Sequence, residues 1–102
     1  MVDSKDIKIR KATLNDIDKI EVLLQELIGD PLNDRRRFYN DAFSSEDYVG
    51  LVAEKEGNII GFVDLWGFPD PGHGAVLGVI MNFIVSKEHR KMGIGAAFWR
   101  KR

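Results

Sequence analysis

Residues 48–85 hold three apolar, β-branched runs in succession, and that block constrains the fold more than any other feature of the chain. Tyr48 to Lys55 is the first run and Ile59 to Phe68 the second. Between them, Glu56-Gly57-Asn58 supplies turn chemistry, so the two are predicted to pair as a hairpin. The stretch GFPDPGHG, residues 67–74, reads as a loop, because glycine and proline punctuate it throughout. Ala75 to Val85 is then a long apolar run, the third strand of a meander. Strands joined by short connections pair antiparallel.

Upstream the pattern differs. IKIRKA, residues 7–12, alternates apolar and basic side chains, as a short strand with one buried face does. Thr13 and Asp16 have the spacing of a capping box, which predicts a helix from about Leu14. Ile17, Ile20, Leu23, Leu24, Leu27 and Ile28 then form one apolar stripe at helical spacing. Gly29-Asp30-Pro31 stops it. Residues 32–43 predict a weaker second helix with Phe38, Ala42 and Phe43 inward. Its Arg35-Arg36-Arg37 run could bind an anion, but a triplet is short for a basic patch and reads as a solvated helix face. A last helix is predicted from Ile94 to Arg102. The expected order is β-α-α-β-β-β-α. Because the strands come in a block, the class is α+β, with a mainly antiparallel sheet and helices on its faces.

The 102 residues suit one domain. Fifteen Lys and Arg against sixteen Asp and Glu leave a net charge of −1, without the basic surplus of a dedicated nucleic-acid binder. No cysteine is present, so disulfides, a thiol nucleophile and Cys-ligated zinc are excluded. MVDSKDIKIRK lacks the apolar core of a signal peptide. No apolar run approaches membrane-spanning length, so a cytoplasmic protein with no membrane partner is expected.

The third strand leads into Arg90-Lys91-Met92-Gly93-Ile94-Gly95-Ala96, a basic turn with two glycines where a helix should open. Three explanations compete. A dinucleotide fingerprint would put its third small residue at Phe98, which is too large, and its acidic residue beyond the chain. A P-loop needs a G-x-x-x-x-G-K-[ST] string, which does not occur. A purely steric role for the glycines needs no ligand. The basic neighbours and the helix start favour a phosphate, because free N–H groups and the helix dipole attract an anion there. Glycines admit a bulky phosphate to those amides. The residues therefore describe a pyrophosphate cradle made of backbone.

This turn fits R-x-x-G-x-G/A and resembles the acetyl-CoA pyrophosphate loop of the GNAT N-acetyltransferase superfamily. Phe83-Ile84-Val85 followed by Glu88-His89 resembles the family's run into that loop, with Lys87 where proline is common. Asn82 matches a frequent Asn on the same strand. Ile9-Arg10-Lys11-Ala12-Thr13, with Asp16 and Ile20, is similar to the family's opening motif, and Gly57 to Phe62 to its hairpin. The resemblance covers nearly the whole chain.

It implies a fold in which the fourth strand carries a bulge and splays from a fifth. Backbone groups of Phe83, Ile84 and Val85 would then pair with the pantetheine arm. An amide of Phe83 or Ile84 would polarise the thioester carbonyl. Amides from Arg90, Lys91, Met92, Gly93, Ile94, Gly95 and Ala96 would hold the pyrophosphate. The implied activity moves acetyl from acetyl-CoA, as co-substrate, to a primary amine by direct attack, with no metal. Small amines, peptide N-termini, lysines and antibiotics are all compatible acceptors.

Two departures stand out. Met81 occupies the place of a glutamate that acts as base in many relatives, and Asp64 is the candidate substitute, although a carboxylate at a strand end is usually solvated. The family also places a fifth strand, a helix with a tyrosine acid and further strands after the glycine turn. The expectation is therefore the N-terminal portion of a domain, with its C-terminal strands absent. An alternative follows: an inactive module that binds CoA weakly or self-associates as a homodimer along its exposed fourth strand. Trp66 and Phe68 are candidates to line a substrate pocket, though packing alone accounts for them. His73 reads as an exposed loop residue that could act as a base, and Phe98 and Trp99 read as core contacts.

Overall fold

The computed structural model describes residues 6–90 and Phe98. Its elements run β1 (Ile7–Lys11), a 3-10 turn (Leu14–Asp16), α1 (Ile17–Ile28), α2 (Arg35–Phe43), β2 (Tyr48–Lys55), β3 (Asn58–Asp70), β4 (Ala75–Val85) and a second 3-10 turn (Lys87–His89). The strands form one antiparallel sheet in sequence order, with β1 and β4 at its edges. The class is α+β, as the order of runs predicts. Of the helix expected from Ile94, only Phe98 lies among the described residues.

The stripe on α1 does what its spacing requires. Ile20, Leu23 and Leu24 pack on Val52, Phe62 and Ile84, one residue from each of β2, β3 and β4. These three share a face because Val52 pairs with Phe62 and Phe62 with Ile84. The opposite face buries Ala53, Ile60 and Val63 against Phe98. Phe98 is thus a core contact, as expected. Among the described residues, no helix is long and apolar enough to cross a membrane.

Three local expectations change. GFPDPGHG is not a loop throughout. β3 runs to Asp70, β4 starts at Ala75, and the turn is confined to residues 71–74. Pro69 is tolerated because β3 outruns β2. The last β2–β3 pair is Tyr48 with Trp66, and beyond it β3 pairs only with β4. Proline's missing N–H can then face a side with no ladder. On α2 the inward residues are Arg35, Tyr39, Ala42 and, partly buried as expected, Phe43, while Phe38 is 58% exposed. Arg35 also departs from the solvated triplet. It is buried at the end of α1, where its guanidinium donates to Gln25 Oε1 and to the Gly29 carbonyl. Arg36 and Arg37 stay exposed, and Arg36 pairs with Asp18.

The first hairpin turn is read correctly. Lys55 pairs with Asn58 across Glu56 and Gly57, whose φ values of 52° and 81° fit a type I′ turn.

One polar cluster locks β1 to the rest. The Arg10 guanidinium reaches Asp16 at 2.7 and 2.8 Å and Glu54 on β2 at 3.0 Å. Asp16 also accepts from the Thr13 amide at 2.8 Å, as the capping-box spacing requires. The Arg10 hydrogen bond is the main reason that the Asp16 carboxyl falls from its ordinary 3.8 to about 2. A folded-state value below the unfolded one stabilises above the ordinary value, and the benefit fades as pH drops toward 2. Asp16→Asn should therefore lower stability by about 2 kcal/mol at pH 7. In urea denaturation the gap from the parent should narrow by pH 3; a gap that does not change with pH would contradict this role.

Candidate functional site

The β3–β4 ladder breaks at one place. Asp64 pairs with Asn82, yet the next residue, Leu65, pairs with Ile80. Met81 is therefore an extra residue, a bulge. In a regular strand, neighbouring side chains face opposite sides of the sheet. Here Met81 and Asn82 line the same groove, which a bulge permits by re-aiming a side chain. A bulge on the fourth strand is what the family resemblance implies.

Beside the bulge, three strands contribute one polar group each. Tyr48 on β2 donates its hydroxyl to Asp64 Oδ2 at 2.5 Å. Asn82 on β4 donates Nδ2 to Asp64 Oδ1 at 3.0 Å. Gly50 stands opposite Asp64 in the register, and a Cβ there would lie 3.3 Å from the Phe62 ring and 3.4 Å from the Phe43 ring. Its missing side chain leaves that space to the aromatics. Asp64 is only 3% exposed, so the solvated strand-end carboxylate expected from the sequence is corrected: β3 continues six residues past it. Burial pushes the Asp64 carboxyl above its ordinary range, against the two donors, which favour the charged form. Burial also raises Tyr48 and Tyr39, with Asp64 adding to both, so the phenols stay protonated as donors.

A groove of about 490 Å³ opens over this cluster, between the α1–α2 connection and the β3–β4 face. Asp64, Asn82 and Tyr48 lie in it with Trp66, Tyr39 and Arg35. Trp66 leans on Tyr48 with ring centroids 5.0 Å apart. The volume is within the usual range for small-molecule pockets.

The sequence-derived site residues divide between two places. Trp66 and Asn82 meet in the groove. Phe83, Ile84 and Val85 end the edge strand β4. Ile84 is buried under α1, Val85 is partly buried, and Phe83 is 45% exposed with its ring edge-on to Phe98 at 5.9 Å. Arg90 is exposed and donates Nε to the Val85 carbonyl at 3.2 Å. Lys91, Met92, Gly93, Ile94, Gly95 and Ala96, like Trp99, lie outside the described residues. Phe68 is half exposed and does not line the groove. His73 is exposed at the β3–β4 turn, paired with Asp70 at 2.7 Å, and is likewise not a groove residue. Sequence reasoning missed Tyr48 and Tyr39. The signal for Tyr48 lies in the register, which puts it beside Trp66 and on the face of Asp64, and that for Tyr39 in the packing of α2 on the core.

A helix-covered antiparallel sheet with a bulged edge strand and an adjoining groove has the architecture of an acyl-CoA N-acyltransferase. The acetyltransferase (GNAT) family model matches residues 15–101. The chain belongs to that family. An acetyltransferase from Trypanosoma brucei superposes with a TM-score of 0.78 at 23% identity, over 94% of this chain and 71% of that one. A GNAT family acetyltransferase from Staphylococcus aureus gives 0.78 at 25% identity, over 94% and 74%. A predicted acetyltransferase from Clostridium acetobutylicum, solved with acetyl-CoA, gives 0.73 at 21% identity, over 93% and 70%. No curated protein matches the chain. Family membership supports acetyl transfer as the general chemistry.

The buried carboxyl has a stability consequence. Its raised folded-state value means that the penalty for ionising Asp64 is absent below about pH 4 and grows as pH rises through that value. Asp64→Asn keeps the shape and removes the charge; one of Tyr48 and Asn82 can turn to accept from the new NH2 while the other still donates to its carbonyl. The variant should be more stable than the parent at pH 7, with a smaller difference at pH 3. Denaturant unfolding at both values tests this; a variant that is less stable at pH 7 and equally so at pH 3 would contradict it.

Proposed function

We propose that this chain is an N-acetyltransferase that moves an acetyl group from acetyl-CoA to an amine held in the groove over Asp64. The observation that carries this is the meeting of two features on one strand. β4 lines the acceptor groove through Met81 and Asn82, and its last residues form a sheet edge with no partner strand among the described residues. An edge strand offers unpaired backbone groups to an extended ligand. Phe83, Ile84 and Val85 are the residues assigned to the pantetheine arm, and Arg90 through Ala96 to the pyrophosphate.

Acetyl-CoA supplies an activated thioester. The acceptor nitrogen loses a proton, bonds to the acetyl carbon and displaces the sulfur, which leaves as a thiolate and is then protonated. An amide of Phe83 or Ile84 would hold the developing oxyanion. Asp64 is the group in the groove suited to taking the proton, directly or through water, because burial raises its proton affinity toward working pH. Met81 in the bulge has no proton to exchange, so the base role passes to the neighbouring strand.

A second reading has its own observation. Val76, Leu77, Val79, Ile80, Met81 and Phe83 on β4 are each at least 41% exposed. An apolar edge strand of that kind invites pairing between copies, and self-association need not involve acetyl-CoA.

Calorimetric titration of acetyl-CoA into the chain, with sedimentation of the same samples, separates the two. The transferase assignment predicts saturable binding, weakened at least tenfold by Gly93→Val because a side chain would obstruct the phosphate. No heat at millimolar ligand, together with a concentration-dependent dimer, would replace it with the second reading. Unchanged affinity in Gly93→Val would leave the glycines a steric role only.

A further inference from the structure

The groove over Asp64 has a composition that selects among amines, and this selection rests on the acceptor role assigned to it above. Among its described lining residues the only charged side chains are Asp64 and Arg35. Arg35 is turned toward α1, where Gln25 and the Gly29 carbonyl each accept one of its N–H groups. The floor therefore presents one carboxyl. Its oxygens accept one side-chain hydrogen bond each, from Tyr48 and from Asn82, the Asn82 backbone amide is a third donor, and a carboxylate oxygen can accept two. Room remains for one further donor.

The walls have the opposite character. Trp66 and Tyr39 flank the floor, and Ile28, Leu32, Phe38 and Met81 are the large exposed apolar residues of the lining, which also holds the polar Asn33. Those four are 62%, 100%, 58% and 58% exposed. Four large apolar side chains that are all more than half exposed and line one groove mark a binding surface rather than a scatter of surface residues. Aromatic faces beside a carboxyl also suit a cation, which they attract through the ring quadrupole.

We propose that the groove takes a monoamine with an apolar body, of the arylalkylamine or alkylamine class, with its single ammonium at Asp64 and its body against Trp66, Phe38 and Met81. A polycationic acceptor fits poorly. Its first ammonium would pair with Asp64, but every other one would leave water without a carboxylate to meet it. Arg35 would repel the second. Specificity here comes as much from what the walls fail to pair as from what the floor attracts.

The test uses binding without acetyl-CoA, so that it stands apart from the transferase assignment. Phenethylamine, 2-phenylethanol and spermidine are titrated into the full chain, followed by chemical-shift changes at the Asn82 side-chain amide and the Trp66 indole. Phenethylamine is expected to bind at least tenfold more tightly than the alcohol, which has the ring but no ammonium, and at least tenfold more tightly than spermidine. Asp64→Asn should remove the preference for amine over alcohol and keep the ring contact. Equal affinity for amine and alcohol in the parent, tighter binding of spermidine, or no binding of phenethylamine at millimolar concentration would each overturn the proposal. The comparison among the three ligands needs no variant, so misfolding of Asp64→Asn would not blunt it. If phenethylamine binds as expected while acetyl-CoA does not, the transferase assignment fails and the selectivity of the groove stands.

Discussion

The two hydrogen bonds to Asp64 tie three strands together at the place where the sheet stops being regular. Tyr48 comes from β2, Asp64 from β3 and Asn82 from β4. A carboxyl that is 3% exposed is unfavourable in an apolar face unless its oxygens are satisfied. Here both are, by neutral donors that only partly offset the rise in proton affinity caused by burial. The same bonds fix the side chain of Asn82 next to the bulge and hold Tyr48 against Trp66. The shape of the groove and the chemistry of its floor thus have one origin.

That arrangement needs support from elsewhere in the fold. α1 presses Ile20, Leu23 and Leu24 onto Val52, Phe62 and Ile84, and so sets the sheet against which the groove is measured. α2 brings Tyr39 and Arg35 to the groove wall because its inward face starts at Arg35, just after the Asp34 cap. Phe43 and Tyr39 extend an aromatic contact chain to Tyr48, Trp66 and Phe62. Arg10, Asp16 and Glu54 do the equivalent work at the far edge, pinning β1 and the start of α1 to β2. The two polar clusters differ in kind. Asp16 faces a full positive charge and is held ionised, whereas Asp64 faces a hydroxyl and an amide.

Much of the fold is legible in the sequence because its signals are local. The α1 stripe, the Thr13–Asp16 spacing and the Glu56-Gly57 turn each lie within a few residues. The family resemblance adds the bulge on β4. What escapes is set by pairing at a distance. Pro69 looks like a loop residue until β3 is seen to outrun β2. Asp64 looks like a strand end for the same reason, since a loop beginning at Gly67 would leave it near solvent. Phe38 and Tyr39 differ by one step of a helix whose phase is fixed by contact with the core. Arg35 reads as one of three solvated arginines until the end of α1 supplies its acceptors. The candidate site is less legible than the fold: Trp66 and Asn82 are found, but Tyr48 and Tyr39 reach it only through register and helix packing.

Asp64 is a buried carboxyl of raised proton affinity that lines the groove. Carbon-detected NMR titration of the Asp64 side chain measures this directly. The account predicts a midpoint above the ordinary 3.8, and a lower midpoint when phenethylamine saturates the groove, because a neighbouring ammonium favours the carboxylate. A midpoint at or below 3.8 in the free chain, or one indifferent to the amine, would contradict it.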